Sequence, residues 1–160
     1  MVADFQRLVE ALARNQVRFV IVGGVALVLQ GSARTTVDLD ICYARDAQNL
    51  DALAAALAPF HPTLRGAPAD LPFRVDVATL RSGLNFRLES EAGDIDLLGE
   101  LMGVGGYDQL IARADLMELY GHPVHVMSLD ALEAAKRAAG RLKDLADLAE
   151  ILEIRRRRGD

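Results

Sequence analysis

The sequence predicts an α+β domain, with one mixed, twisted sheet flanked by helices and further helices at its C-terminal end. Three observations lead there. Short β-branched or alternating runs at residues 17–22, 37–43 and 93–99 read as strands. The helical patterns between strands differ in length and do not repeat a βαβ unit. From residue 128 onward helical periodicity runs almost to the end. A single domain follows, with residues 1–127 as its core and residues 128–160 as a helical segment packed on that core.

In chain order, Val2, Phe5, Leu8, Val9 and Leu12 share helical spacing and make residues 2–15 an amphipathic helix. "VRFVIV" (17–22) is a strand bounded by Gly23, and "VALVLQ" (25–30) a short buried helix that stops at Gly31. "VDLDICY" (37–43) alternates with period two, a second strand. Residues 46–60 form a helix started by Asp46 and ended by Pro59. Residues 60–82 read mainly as loop, and "RVDVATLRSG" fits either a strand or a helical turn. "LNFRLES" and "GDIDLLG" make a hairpin around a Glu91–Gly93 turn. "YDQLIARA" is a short helix, and "LMELYG" with "HPVHVMS" a second hairpin. The last helical stretch is capped by Ser128 or Asp130 and divided at Gly140.

Composition narrows the class of function. Hydrophobic residues make up 51% and charged residues 26%, enough to bury a core. No apolar run is long enough for a membrane span, and the N-terminus lacks signal-peptide organisation, so a cytoplasmic protein is expected. The single cysteine, Cys42, excludes an internal disulfide, and burial beside two aspartates makes it a poor nucleophile. A net charge of −5 argues against a general polyanion binder. The "RRRR" tail complements a helix C-terminus.

The strand at 37–43 carries the chemistry. Residues i and i+2 of a strand face one way, so Asp38 and Asp40 project together while Leu39 and Ile41 enter the core. Paired carboxylates in a partly buried place repel each other, which raises a pKa or calls for a cation. Magnesium suits a few carboxylates plus substrate phosphates. "GDIDLLG" repeats the pattern with Asp94 and Asp96, of which Asp96 lies within the strand and Asp94 beside the turn. Laid next to each other, the two strands gather three or four carboxylates, the arrangement that holds two magnesium ions about 4 Å apart in phosphoryl chemistry. Alone, each Asp-x-Asp is also what an acidic outer strand face looks like.

Gly23 and Gly24 end one strand and begin a helix, where backbone approaches a phosphate closely. A dinucleotide-binding turn is the competing reading. It lacks support here, because no third glycine follows at the required spacing and the helix is too short for a parallel crossover.

Val22-Gly23-Gly24, the short helix, Asp38-Leu39-Asp40 and Asp96 together resemble the nucleotidyltransferase superfamily, the polymerase-beta-like fold. "GSARTTVDLD" is similar to a form found in abortive-infection (AbiEii-like) and related small bacterial nucleotidyltransferases, and "GDIDLLGE" and "KRAAGRLKDLADL" resemble further segments of that group. Set beside the larger abortive-infection toxins these 160 residues are few, and most of their C-terminal domain is not expected within them. The resemblance implies magnesium-dependent transfer of a nucleoside monophosphate from an NTP to a hydroxyl or phosphate acceptor, with tRNA or protein as candidate acceptors and a toxin–antitoxin partner as a candidate context. It makes Asp38, Asp40 and Asp96 the metal-binding catalytic residues, with Asp96 helping to deprotonate the acceptor. It places Gly23 and Gly24 on triphosphate oxygens and Arg34 and Thr35 in the same pocket. A non-catalytic nucleotide- or partner-binding module of the same fold and an antibiotic-modifying nucleotidyltransferase are the alternatives.

Lys136, Gly140, Lys143 and Asp147 fall on one helical face if the helix is continuous, with Leu145, Leu148 and Leu152 on another, toward the core. Lys136 and Lys143 would then either neutralise charge on the leaving pyrophosphate or lie in solvent, with Lys143–Asp147 as an i,i+4 pair. His122 and His125, three apart in a strand, point to opposite faces and share no metal. "GVGGYD" (103–108) reads as a strand-to-helix loop.

Overall fold

The computed structural model describes residues 3–68 and 70–159; Val2, counted above on the first helix, lies outside them. Helix α1 (Phe5–Arg14) starts on Asp4, whose carboxylate accepts from the Arg7 amide at 3.1 Å, and buries Leu8, Val9 and Leu12. Strand β1 (Phe19–Val22) runs straight into α2 (Gly23–Leu29), and β2 (Leu39–Tyr43) follows. Helix α3 (Ala47–Leu57) starts on Asp46, which accepts from the Asn49 amide at 3.1 Å. The helix stops at Leu57, just ahead of Pro59, which sits inside a 3₁₀ turn, Ala58–Phe60.

The loop-like stretch that follows contains a two-residue strand, β3 (Thr63–Leu64), and a helix, α4 (Val77–Ser82). Asp76 caps α4 through the Thr79 amide at 2.8 Å, so the helical alternative for "RVDVATLRSG" is the one realised. Strands β4 (Phe86–Glu89) and β5 (Ile95–Leu98) form the first expected hairpin. A small ribbon, β6 (Glu100–Leu101) and β7 (Gly105–Gly106), leads into α5 (Tyr107–Ile111). Strands β8 (Ala114–Leu119) and β9 (His122–Met127) form the second hairpin. Its two-residue turn, Tyr120-Gly121, has φ of 52° and 81°, the left-handed pair that matches strand twist. Helices α6 (Leu129–Ala139), capped by Ser128, and α7 (Leu142–Arg158) end the chain, with Gly140 left-handed between them.

The main sheet has seven strands in the order β3-β4-β5-β2-β1-β9-β8. It is mixed: β1 pairs antiparallel with β2 and parallel with β9, while β2 pairs parallel with β5. All four residues of β1 are buried, so the centre of the sheet is covered on both faces. Helices α1 and α3 pack together, and α2 packs on β1, β2, β9 and α6. Buried Asn49 ties the starts of β1 and α3 to the end of β2. Its side chain accepts from the Arg18 amide at 2.7 Å and donates to the carbonyls of Arg18 and Ala44 at 3.1 and 2.7 Å. Among the described residues no helix is long and apolar enough to cross a membrane.

The C-terminal leucines depart from expectation. Leu145 and Leu152 are 58% and 55% exposed and Leu148 is half-buried; the inner face of α7 carries Asp144, Asp147, Ile151 and Ile154. The helix is not continuous. Left-handed Gly140 ends α6 and lets α7 choose its own rotation, and the two aspartates find cations on the inside. The basic tail is engaged within the chain as well. Arg157 donates to the Gly31 carbonyl at 3.3 Å, and Arg158 to the Gln30 backbone and side-chain oxygens, fastening the end of α7 to the end of α2.

Candidate active site

Register decides the site. Strands β2 and β5 run parallel, with Leu39 opposite Ile95 and Asp40 opposite Asp96, so the two aspartates stand side by side on one face. Leu39, Ile41, Ile95 and Leu97 are fully buried. Asp38 precedes β2 and Asp94 precedes β5 by one residue, and period-two geometry brings both to the same side. Four carboxylates therefore form a two-by-two array. Asp94, which sequence position alone marks as a turn residue, belongs to it.

Asp40 is the member pressed into the protein. Its carboxylate abuts Gly23, where φ is +66° and a Cβ would fall 2.2 Å from Oδ2; only glycine fits both the conformation and the approach. Burial first, then the neighbouring Asp96 charge, pushes the Asp40 carboxyl up to about 7. Its Oδ1 is buried with no hydrogen-bond partner among the described residues. A buried acidic oxygen between like charges is met either by a proton, as the raised pKa of Asp40 indicates, or by a cation.

Arg65, absent from the sequence-based candidates, faces the array from the end of edge strand β3. Its Nη2 donates to Asp96 Oδ1 at 2.7 Å and to the Leu88 carbonyl at 3.1 Å. Nε lies 3.3 Å from Asp94 Oδ2 and Nη1 lies 3.8 Å from Asp38 Oδ2. Burial works to lower the Arg65 pKa, but Asp96 and Asp94 hold it above the ordinary value. More distantly, Arg87 Nε is 3.9 Å from Asp96. Among the described residues no three acids, histidines or cysteines close together as a metal cage. The acids are turned to Arg65 instead.

Beside Asp40 a cavity of about 500 Å³ opens between the β1–α2 turn and the α6–α7 corner. It brings together Gly23, Gly24, Arg34, Asp40, Lys136 and Lys143 from the expected set, and adds Arg141. Asp38, Asp96 and Thr35 are not in its wall; Thr35 is exposed, and Thr36 is the residue next to Gly24. Leu98, Leu101, Met102 and Ala139 give the cavity an apolar side.

Two of the expected cations already have partners. Arg34 is paired with Asp147 and Glu150. Lys136 Nζ lies 2.8 Å from Asp147 and 3.7 Å from Asp144. Arg141 holds Asp144 at 2.8 Å, and this hydrogen bond leads the interactions that lower the Asp144 carboxyl to about 2. The expected Lys143–Asp147 pair does not form, because Asp147 is taken by Lys136 and Arg34; among the described residues Lys143 makes no ion pair and is exposed on the cavity rim. Cys42 is buried, which pushes its thiol up to about 12 and keeps it inert. His122 and His125 both lie on β9 and, three apart, take opposite faces.

No family model and no curated protein sequence matches the chain. Among solved structures, it is similar to a protein of Thermotoga maritima that is provisionally assigned as a nucleotidyltransferase, with 16% identity, 96% of each chain covered and a TM-score of 0.58. A likeness at that identity concerns architecture, and with the mixed sheet and its glycine turn it shows that this chain adopts the nucleotidyltransferase fold.

Proposed function

We propose that the chain is a nucleotidyltransferase that moves a nucleoside monophosphate from an NTP to a hydroxyl or phosphate acceptor. The observation that carries this reading is the Asp40–Asp96 register next to Gly23, with Asp40 in the wall of a cavity that has an apolar side and Lys143 on its rim. Asp38, Asp40 and Asp96 would hold magnesium, and the unpaired Asp40 Oδ1 would be one of its ligands. Bound there, magnesium would neutralise phosphate charge and lower the pKa of the acceptor oxygen. The backbone at Gly23 and Gly24 would approach the triphosphate, and Lys143 would offset charge on the departing pyrophosphate. The acceptor oxygen bonds to the α-phosphorus as the bond to pyrophosphate breaks, and Asp96 takes the acceptor proton. The apolar wall would receive the base. An AbiEii-like assignment, a tRNA or protein acceptor and a toxin–antitoxin partner belong to this reading and rest on the similarity of residues 31–40, "GDIDLLGE" and "KRAAGRLKDLADL" to that group, and a cytoplasmic setting belongs to it on the sequence's lack of a membrane-spanning run or signal-peptide pattern.

The test is incubation with each labelled NTP, magnesium, total tRNA and cell protein. Label transferred to one polymer, with pyrophosphate released, is expected for the wild type. In Asp38→Asn and Asp40→Asn it should fall at least about a thousandfold, with circular dichroism unchanged. Activity equal to wild type in those variants would overturn the proposal. A second reading, a nucleotide-binding module without turnover, is favoured by the grip of Arg65 on the acids. It predicts thermal stabilisation by ATP that is indifferent to magnesium, and no pyrophosphate.

A further inference from the structure

Arg65 stands where the metal reading needs open oxygens. Its guanidinium is bonded to Asp96 and lies within 4 Å of Asp38, two of the three proposed ligands, and also reaches Asp94. The third ligand, Asp40, is left with an unpaired oxygen on the other side of the same array. The guanidinium arrives from outside the array. Arg65 follows edge strand β3, its amide pairs with the Arg87 carbonyl at 2.9 Å, and its side chain crosses β4 to reach β5 and the start of β2. Gly66 comes next, with φ of +77° and open space around it. The Arg65 side chain is 18% exposed, so the guanidinium is largely shielded from water while it is engaged.

We propose that Arg65 is the resident counter-ion of the acidic array and competes with the divalent cation for Asp38 and Asp96. This rests on the metal reading above. One guanidinium supplies a single positive charge and hydrogen bonds with fixed directions. A divalent ion supplies two charges and binds the same oxygens directly. Asp96 Oδ1 gives Nη2 a lone pair at 2.7 Å, and a divalent ion bound to the same carboxylates would repel the guanidinium beside it. Metal entry therefore releases Arg65, and metal exit lets it swing back. The array is never left as four bare carboxylates, and the metal affinity of the free protein is set by the strength of the arginine's hold. Arg65 is a positioning residue in the metal-free state and a competitor during loading.

The sign of one measurement separates this from a merely structural arginine. Full-length protein is stripped with a chelator and titrated with MnCl₂, and free Mn²⁺ is read by electron paramagnetic resonance. Arg65→Gln should bind Mn²⁺ at least about tenfold more tightly than wild type, because a charged hydrogen-bonded competitor has been removed. Asp40→Asn in the Arg65→Gln background should lose that gain. If Arg65 only props up the site, Arg65→Gln will bind Mn²⁺ equally or more weakly, which overturns the proposal and leaves the metal site standing. If neither protein binds Mn²⁺, the metal reading falls and the proposal with it. Should Arg65→Gln not fold when metal-free, Arg65→Lys carries the test. A lone ammonium cannot span three carboxylates, so Mn²⁺ affinity should still rise a few-fold, and unchanged affinity overturns the proposal.

Discussion

Asp40 is the residue at which sequence pattern and physical cost meet. Its neighbours Leu39 and Ile41 are drawn into the core, which forces Asp40 to the opposite face, against Gly23 and beside Asp96. Burial and the Asp96 charge raise its pKa from 3.8 to about 7, so folding takes up a proton between those values. The stability this brings is complete below the unfolded pKa and is lost as pH rises through the folded one. Metal-free protein should therefore melt at lower temperature at about pH 8 than at about pH 5, and Asp40→Asn should flatten that slope. A scanning-calorimetry series in chelator checks it; a wild-type melting temperature that rises across the window would contradict the assignment. Asp144, held low by Arg141, titrates well below this window and does not blur it. The aspartates were legible in the sequence because strand parity is local. Arg65 was not, because its role depends on β3 pairing with β4 and β4 with β5, which no stretch near "TLRG" records.

At the scale of elements, caps and turns were readable from single residues. Asp46, Ser128 and Gly140 each stand where a start or stop was expected. The rotation of α7 was not, because helical spacing assigns faces only within one unbroken helix, and Gly140 resets the phase. Once reset, Asp147 lies inside, shared by Arg34 from the α2–β2 connection and Lys136 from α6. Burial opposes the charged form of Asp147, and hydrogen bonds from Lys136 and Arg34 outweigh it. Asp147→Asn would leave two partly buried cations short of a partner and should cost about 3 kcal/mol in urea unfolding. Leu152→Gln, on the exposed side of the same helix, should change stability by less than about 0.5 kcal/mol. Equal effects would mean that the inner and outer faces have been exchanged.

Across the whole molecule, class and element order were legible, but strand order was not. The parallel neighbour of β2 is β5, more than fifty residues along, and the parallel neighbour of β1 is β9, about a hundred along. Those two non-local pairings create the site. One lays Asp96 beside Asp40, and the other brings in the strand from which α6 and α7 depart. Hydrophobic patterning says that each strand has a buried face; it does not say which strand is next to it.

The clasp of Arg157 and Arg158 on the carbonyls of Gly31 and Gln30 gives the far end of the polypeptide a say in the cavity. Those carbonyls open the connection that carries Arg34, a few residues further on, to the rim. Trimming residues 155–159, or fusing a bulky tag onto them, should loosen that connection without touching any of the four clustered carboxylates. Hydrogen exchange at residues 31–36 would quicken while β2 and β5 stayed protected. The arginines at the end of α7 thus act on the shape of the cavity from outside its wall.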